Sequence, residues 1–166
     1  MKIAIVSDSH DNLPNIDKIL AYCKQEKIKT MFHCGDVCSG NVLKYLAQKF
    51  NGELYVVLGN VHEEPEAMFA KIKELPRARL LGEEGEVDLA GLKIYLTHYP
   101  EVAKKMAETK KYNFIFYGHT HKPWEEKIGN CRVVNPGTLA GMFTKATFAV
   151  LDAETKNLEL KLLELL

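Results

Sequence analysis

The sequence predicts an α/β fold in which two packed sheets carry their helices on the outside. Three observations point there. Short runs rich in Ile and Val alternate with helical stripes through the first sixty residues or so. The rhythm then breaks, and short strands follow one another closely from residue 85. The final third is almost wholly strand-like and ends as a meander. A β-α-β-α-β opening calls for parallel strands joined by right-handed crossovers. Residues 1–166 read as one domain, since the length supports a single core. No linker, repeat or low-complexity segment interrupts them.

The run 2–7, KIAIVS, is a buried strand. Residues 13–27 place apolar side chains at 16, 19, 20 and 23, a helical stripe with Asn12 and Pro14 near its start. The next strand is 28–34. The next helix is 41–50, ended by Asn51 and Gly52. A third strand covers 53–58. Residues 65–74 read as a helix whose acidic opening, EEPE, suits the helix dipole rather than a metal. Strands 85–89 and 92–97 flank Ala90 and Gly91, and a helix near 101–109 precedes a strand at 113–117. WEEKI, CRVVN, TFAVLD and LELKLLE follow as strands. Alternation of Leu158, Leu160 and Leu162 implies one buried face. Trp124 is expected to pack at a strand start. His33, inside an apolar strand, is expected to be packed and hydrogen bonded. NPGT at 135–138 is a turn.

Lys plus Arg equals Asp plus Glu at 22 each, so the net charge is zero. That argues against nucleic-acid or anionic-membrane binding by bulk electrostatics. No apolar run is long enough for a bilayer, and the N-terminal run is too brief for a signal-peptide core. A cytoplasmic location is the expectation. Cys23, Cys34, Cys38 and Cys131 form no C-x-x-C pair and read as reduced structural thiols.

The chemistry collects where strands end. Asp8 and His10 follow the first strand, Asp36 the second, Asn60 and His62 the third. His98 follows the strand 92–97, and His119 and His121 follow the strand 113–117. In open α/β sheets ligands sit outside the carboxyl ends of strands. Carboxylates, imidazoles and one amide suit Mn, Fe, Zn or Ni. Seven such groups are too many for one ion and suit two.

The ordered set D-x-H, G-D, G-N, a lone His and G-H-x-H resembles the calcineurin-like metallophosphoesterase superfamily. The length and NPGT resemble its small bacterial and archaeal phosphodiesterase branch, with similarity from residue 3 to about 152. The resemblance implies a four-layer αββα sandwich, two mixed β-sheets flanked by helices. It implies that Asp8, His10 and His121 hold a first metal, and Asn60, His98 and His119 a second. Asp36 would bridge both with its two carboxylate oxygens, and a turn held open by Gly118 would send His119 and His121 to different metals. The implied cofactors are two divalent ions, Mn first, with Ni, Fe or Zn as alternatives. The implied reaction is hydrolysis of a small phosphodiester, with phosphomonoesters a further option, by in-line attack of metal-bound hydroxide.

Asn60 and His62 are the candidate catalytic residues. The superfamily usually has histidine directly after the G-N pair and uses it to protonate the leaving group. Here Val61 takes that place and His62 comes one later. Either His62 swings in, or no acid is used and good leaving groups are favoured. Tyr99 stands where the branch commonly has glycine, and it either walls the pocket or points into the core. Asn12, Thr120 and Asn135 are candidates for orienting the ligands, although Asn12 reads equally well as a helix cap. The alternative function is a catalytically silent scaffold, since a retromer scaffold subunit shares the fold. The seven intact positions favour the enzyme. A C-terminal edge strand could pair with a second copy into a homo-oligomer.

Overall fold

The structure, a computed structural model, describes residues 1–166. The opening alternates as expected: β1 (Lys2–Val6), α1 (Leu13–Gln25), β2 (Thr30–His33), α2 (Gly40–Lys49), β3 (Glu53–Val56) and α3 (Pro65–Ile72). Each helix starts with local help. Asn12 caps α1 by accepting from the Asn15 amide at 3.2 Å, and Ser39 caps α2 through Val42 at 3.3 Å. Proline occupies the first turn of α1 and α3, where its missing N–H costs nothing. Glu63, from the acidic stretch before α3, accepts from the Gly40 amide at 3.0 Å, so it serves the N-terminus of α2.

A short β4 (Ala78–Leu80) then pairs parallel to β3. The sequence reading missed it. It has only three residues, follows Pro76 and exposes Arg79, so it carries no periodic signal. Next come β5 (Glu84–Leu89), β6 (Leu92–Thr97), α4 (Pro100–Glu108) and β7 (Phe114–Phe116). The last strands are β8 (Trp124–Ile128), β9 (Cys131–Asn135), β10 (Thr147–Asp152) and β11 (Leu158–Leu162).

The strands form two mixed sheets, ordered β11-β10-β1-β2-β3-β4 and β5-β6-β7-β9-β8. The final strands are therefore not one meander. β8 and β9 form a hairpin on the second sheet, while β10 crosses back to lie antiparallel to β1. Residue periodicity reports burial, not the sheet in which a partner waits.

Alternation along β1 shows how the layers arise. Ala4 and Val6 face the helices, packing with Ile16, Ile19 and Leu43. Ile3 and Ile5 face the other way, with Phe32, Leu96, Phe114 and Phe116 between the sheets. Ala103 and Ala107 of α4 cover the outer face of the second sheet over Tyr95, Ile115 and Val133. The result is helix, sheet, sheet, helix, the sandwich that the resemblance implied.

Two apolar expectations fail at the sheet edges. Trp124 is 60% exposed, because β8 is an outermost strand. Leu160 is 53% exposed on the edge strand β11, and the buried leucine there is Leu163, past the strand. The period-2 pattern of that strand accordingly marks no fully buried face.

Candidate metal centre

The carboxyl ends of β1, β2, β3, β6 and β7 converge, and their loops are stitched together by backbone hydrogen bonds. The Asp8 amide donates to Gly35 O and the His10 amide to Asp36 O, both at 3.0 Å. Gly118 donates to His98 O at 3.1 Å. Asp8, His10, Asp36, His119 and His121 all have φ between +41° and +71°. Non-glycine residues seldom adopt that region, and such strain clusters at functional sites.

Two glycines provide room rather than turning freedom. A Cβ on Gly59 would stand 1.9 Å from Asp36 Oδ1. One on Gly118 would stand 2.0 Å from Ser7 Oγ and 2.7 Å from Asp8 Oδ2. Gly118 is thus required by the close approach of β1, a different reason from the open turn expected.

The seven residues gather as two groups that share one atom. In the first, His121 Nε2 lies 3.2 Å from both Asp8 Oδ1 and His10 Nε2. In the second, Asn60 Oδ1 lies 3.0 Å from His98 Nε2 and 2.9 Å from His119 Nδ1. Asp36 Oδ2 stands between the groups, 3.7 Å from His10 Nε2 and 3.5 Å from His98 Nε2. Its other oxygen is engaged elsewhere: Asp36 Oδ1 accepts from the Asn60 and Val61 amides, each at 2.9 Å. The two oxygens of Asp36 thus face different partners, Oδ1 the backbone amides and Oδ2 the two imidazoles. His119 and His121 do fall into separate groups.

These contacts make poor sense as hydrogen bonds. His98 Nδ1 lies 2.8 Å from the carbonyl of Cys34, so that nitrogen carries the proton. With its Nδ1 committed to that carbonyl, the ring turns Nε2 toward two oxygens, Asn60 Oδ1 and Asp36 Oδ2. A cation among them would make ligands of all three. Ligands about 2.0–2.2 Å from one ion stand about 3–3.5 Å apart, which the observed spacings match. The groups Asp8, His10, His121 and Asp8, Asp36, His98 could each hold an ion.

Electrostatics agree. Burial raises the Asp8 carboxyl above its ordinary range, against a lowering hydrogen bond from Ser7. Burial, and then the neighbouring His10, lowers His121. Both shifts are led by desolvation, the cost of holding ionisable groups in a closed site.

The residues around the cage divide by what they touch. His33 is buried as expected, its Nε2 2.9 Å from Ser9 Oγ, and burial lowers its pKa to about 3. It supports the turn between Asp8 and His10, a role no sequence pattern announces. Ser7 and Thr138 were also missed: Ser7 Oγ donates to Cys34 O at 3.0 Å and Thr138 Oγ1 to Asp8 O at 2.9 Å. NPGT was the available signal for Thr138. Asn135 donates to Gly118 O at 2.7 Å and to Thr120 Oγ1 at 3.0 Å, fixing the G-H-T-H turn. Asn12 both caps α1 and donates to Ala140 O at 2.9 Å. Cys38 Sγ lies 3.5 Å from His10 Nδ1. Tyr99 walls the site, its ring centroid 5.3 Å from that of His98 and 5.6 Å from that of His119. His62 is exposed, and its Nδ1 lies 2.6 Å from Glu63 O.

Comparison with known proteins agrees with this geometry. The model of the calcineurin-like phosphoesterase superfamily domain matches residues 1–156. A phosphodiesterase of Methanocaldococcus jannaschii is 32% identical over 160 residues, covering 95% of this chain and 96% of that relative. A solved archaeal phosphodiesterase superposes with a TM-score of 0.90 at 31% identity, covering 98% of this chain and 99% of the other. A Vps29 of Entamoeba histolytica in complex with zinc shares the fold at a TM-score of 0.69 and 16% identity, with 97% of each chain covered. The order of strand-end ligands, the two-sheet sandwich and these matches agree, and the chain belongs to the calcineurin-like phosphoesterase superfamily.

Proposed function

We propose that the chain is a metal-dependent phosphodiesterase working with two divalent ions. The observation that carries this reading is the convergence of Asp8, His10 and His121 on one side and Asn60, His98 and His119 on the other, with Asp36 Oδ2 between them. Asp8, His10 and His121 would hold one ion, and Asn60, His98 and His119 the other. Asp36 would join them. The ions would supply Lewis acidity toward the phosphoryl oxygens and lower the pKa of water. The named relative supports a diester as substrate. Mn is the first choice for both positions, with Ni, Fe or Zn as alternatives.

The chain's own part is to hold the ester and shape the charge around it. Exposed His119 and half-buried His121 mark the solvent side, where the substrate enters. Tyr99 closes one flank and limits the bulk of the ester group beside His98. The Asn60 and Val61 amides keep Asp36 Oδ1 occupied, so Oδ2 stays aimed inward. No side-chain nucleophile is required.

Metal-stripped protein given Mn, Ni, Zn, Fe or Mg should hydrolyse bis-p-nitrophenyl phosphate with at least one of them. His119→Ala should not. Ion binding without turnover under any metal would replace the enzyme by the scaffold reading.

His62 faces Glu63 O, so we assign it no proton transfer. His62→Ala should leave turnover of bis-p-nitrophenyl phosphate near the parent value. It should equally spare a diester with an alkyl leaving group. A selective loss on the alkyl ester, which needs protonation to depart, would restore His62 as the acid.

A further inference from the structure

Four strands end the two sheets, β11 and β4 in one, β5 and β8 in the other. An edge strand leaves a row of backbone N–H and C=O groups unpaired, and natural proteins usually blunt it with charge or proline. β11 escapes this treatment. It reads LELKL, five residues without proline, and Leu160 at its centre is 53% exposed. Leu158 and Leu160 line one groove with Ala149 of β10 and Trp124 of β8, a ring 60% exposed. Glu159 and Lys161 lie on the other face, beside Tyr22 of α1.

The phase of the β11 backbone is fixed at both ends. Asp152 N donates to Asn157 O at 2.8 Å, and Leu163 N donates to Ala146 O at 2.9 Å. In an antiparallel pair, bonded and unbonded partners alternate. With the observed register, Glu159 and Lys161 therefore turn their backbone groups toward β10, and Leu158, Leu160 and Leu162 turn theirs outward. No hydrogen bond of the loops and turns reaches these outward groups.

We infer that β11 is a dimer interface, pairing antiparallel with β11 of a second copy about a two-fold axis at Leu160. Leu160 then faces the partner's Leu160, and Leu158 faces the partner's Leu162, each pair exchanging the outward bonds. Glu159 faces the partner's Lys161. These charges fall at the unbonded positions, where facing side chains stand closest. Within one chain Glu159 and Lys161 already pair at 2.9 Å, so the axis gathers charges of alternating sign. The two six-stranded sheets run on as one, and the leucines and Trp124 gain cover.

Other axes and other edges fail. An axis at Glu159 or Lys161 sets like charges together and opposes backbone groups that β10 already uses. An axis at Leu158 or Leu162 leaves much of the strand unpaired. In β4 an axis at the middle residue sets Arg79 against itself. In β8 an axis at Glu125, Glu126 or Lys127 does the same with that charge. In β5 an axis at Glu86 also sets Glu84 against Asp88. Only β11 is complementary to its own copy, and this holds whether or not the metal centre hydrolyses diesters.

The test is sedimentation equilibrium of the full-length protein, with amide hydrogen exchange on the same samples. The parent should dimerise. Lys161→Glu should weaken the dimer at least about 10-fold, because both cross-strand pairs turn from unlike to like. Glu159→Lys should do the same. The double variant Glu159→Lys, Lys161→Glu should regain the parent dimer, since the axis restores both pairs. In the parent the amides of Leu158, Leu160 and Leu162 should be protected. In Lys161→Glu they should exchange freely, while the amides at 159 and 161 stay protected by β10. A parent that remains monomeric overturns the proposal, whatever else binds this edge. So does a dimer indifferent to both single reversals, whose interface must lie elsewhere. Failure of the double variant to regain the dimer, with its amides at 159 and 161 still protected, overturns it too.

Discussion

Asp36→Asn is expected to lower hydrolysis of bis-p-nitrophenyl phosphate by more than about 100-fold, because removing a group that merely orients a metal ligand already costs about 10–100-fold. The substitution is nearly isosteric. The remaining carbonyl oxygen can still accept from the Asn60 and Val61 amides at the Oδ1 position. What changes is the inward position, where an NH₂ donor replaces the oxygen between His10 Nε2 and His98 Nε2. A donor cannot ligate a cation, so each of the two proposed ions would lose a ligand at once. Elemental analysis of dialysed protein should show metal content falling with activity. Thermal unfolding in chelator should show Tm held or raised, since a buried charge facing acceptors has become a neutral donor to them. Parental turnover in this variant would eliminate the shared-carboxylate reading. Loss of activity with Tm collapsing in chelator would mean that Asp36 serves the fold instead.

Gly59→Ala should act through the same carboxylate from the other side. The new methyl would meet Asp36 Oδ1 at 1.9 Å, the Asp36 amide nitrogen at 2.6 Å and Cγ at 2.7 Å. A flexible side chain can swing clear of one such contact, but the Asp36 backbone nitrogen, in the short turn after β2, cannot rotate away. Overpacking of this kind costs about 1–3 kcal/mol. For a chain of this size each kcal/mol is about 2–4 °C in Tm. Displacement of Asp36 should also weaken metal binding, so the apo and Mn-loaded proteins should lose different amounts of Tm, the loaded form more. Equal losses would confine the effect to packing, and unchanged Tm would show that the loop relaxes freely.

The site was far more legible than parts of its frame, and the reason is physical. Asp8, His10, Asp36, Asn60, His98, His119 and His121 each follow an apolar run, so chain order alone puts them on one edge of the sheets. Their division between two ions was offered only by the family resemblance, and the hold of the Asn60 and Val61 amides on Asp36 Oδ1 was not legible at all. Helix and strand identity came through wherever burial followed a clear period. β4 did not, being three residues beside a proline. The sheet membership of β8 to β11 was invisible, because a strand's own pattern reports its burial and says nothing about its neighbours. Trp124 and Leu160 are apolar by composition and exposed by position, a difference that only the edges of the sheets create. The His33–Ser9 contact joins residues 24 apart with no spacing rule to foretell it.

β1 lies between β2 and β10, and the Asp8 carbonyl is held by Thr138 and Ala140. That arrangement sets a timetable for synthesis. As the chain leaves the ribosome, Asp8, His10, Asp36 and Asn60 emerge early, but β10, which flanks β1, is made after all seven site residues. Until then β1 has one neighbour, the turn bearing Asp8 lacks its anchors, and the imidazoles at 119 and 121 have only just appeared. Before that point the proposed cage is incomplete. Any ion the site takes would therefore be retained only once β10 has closed on β1 and the turn bearing Asp8 has its anchors.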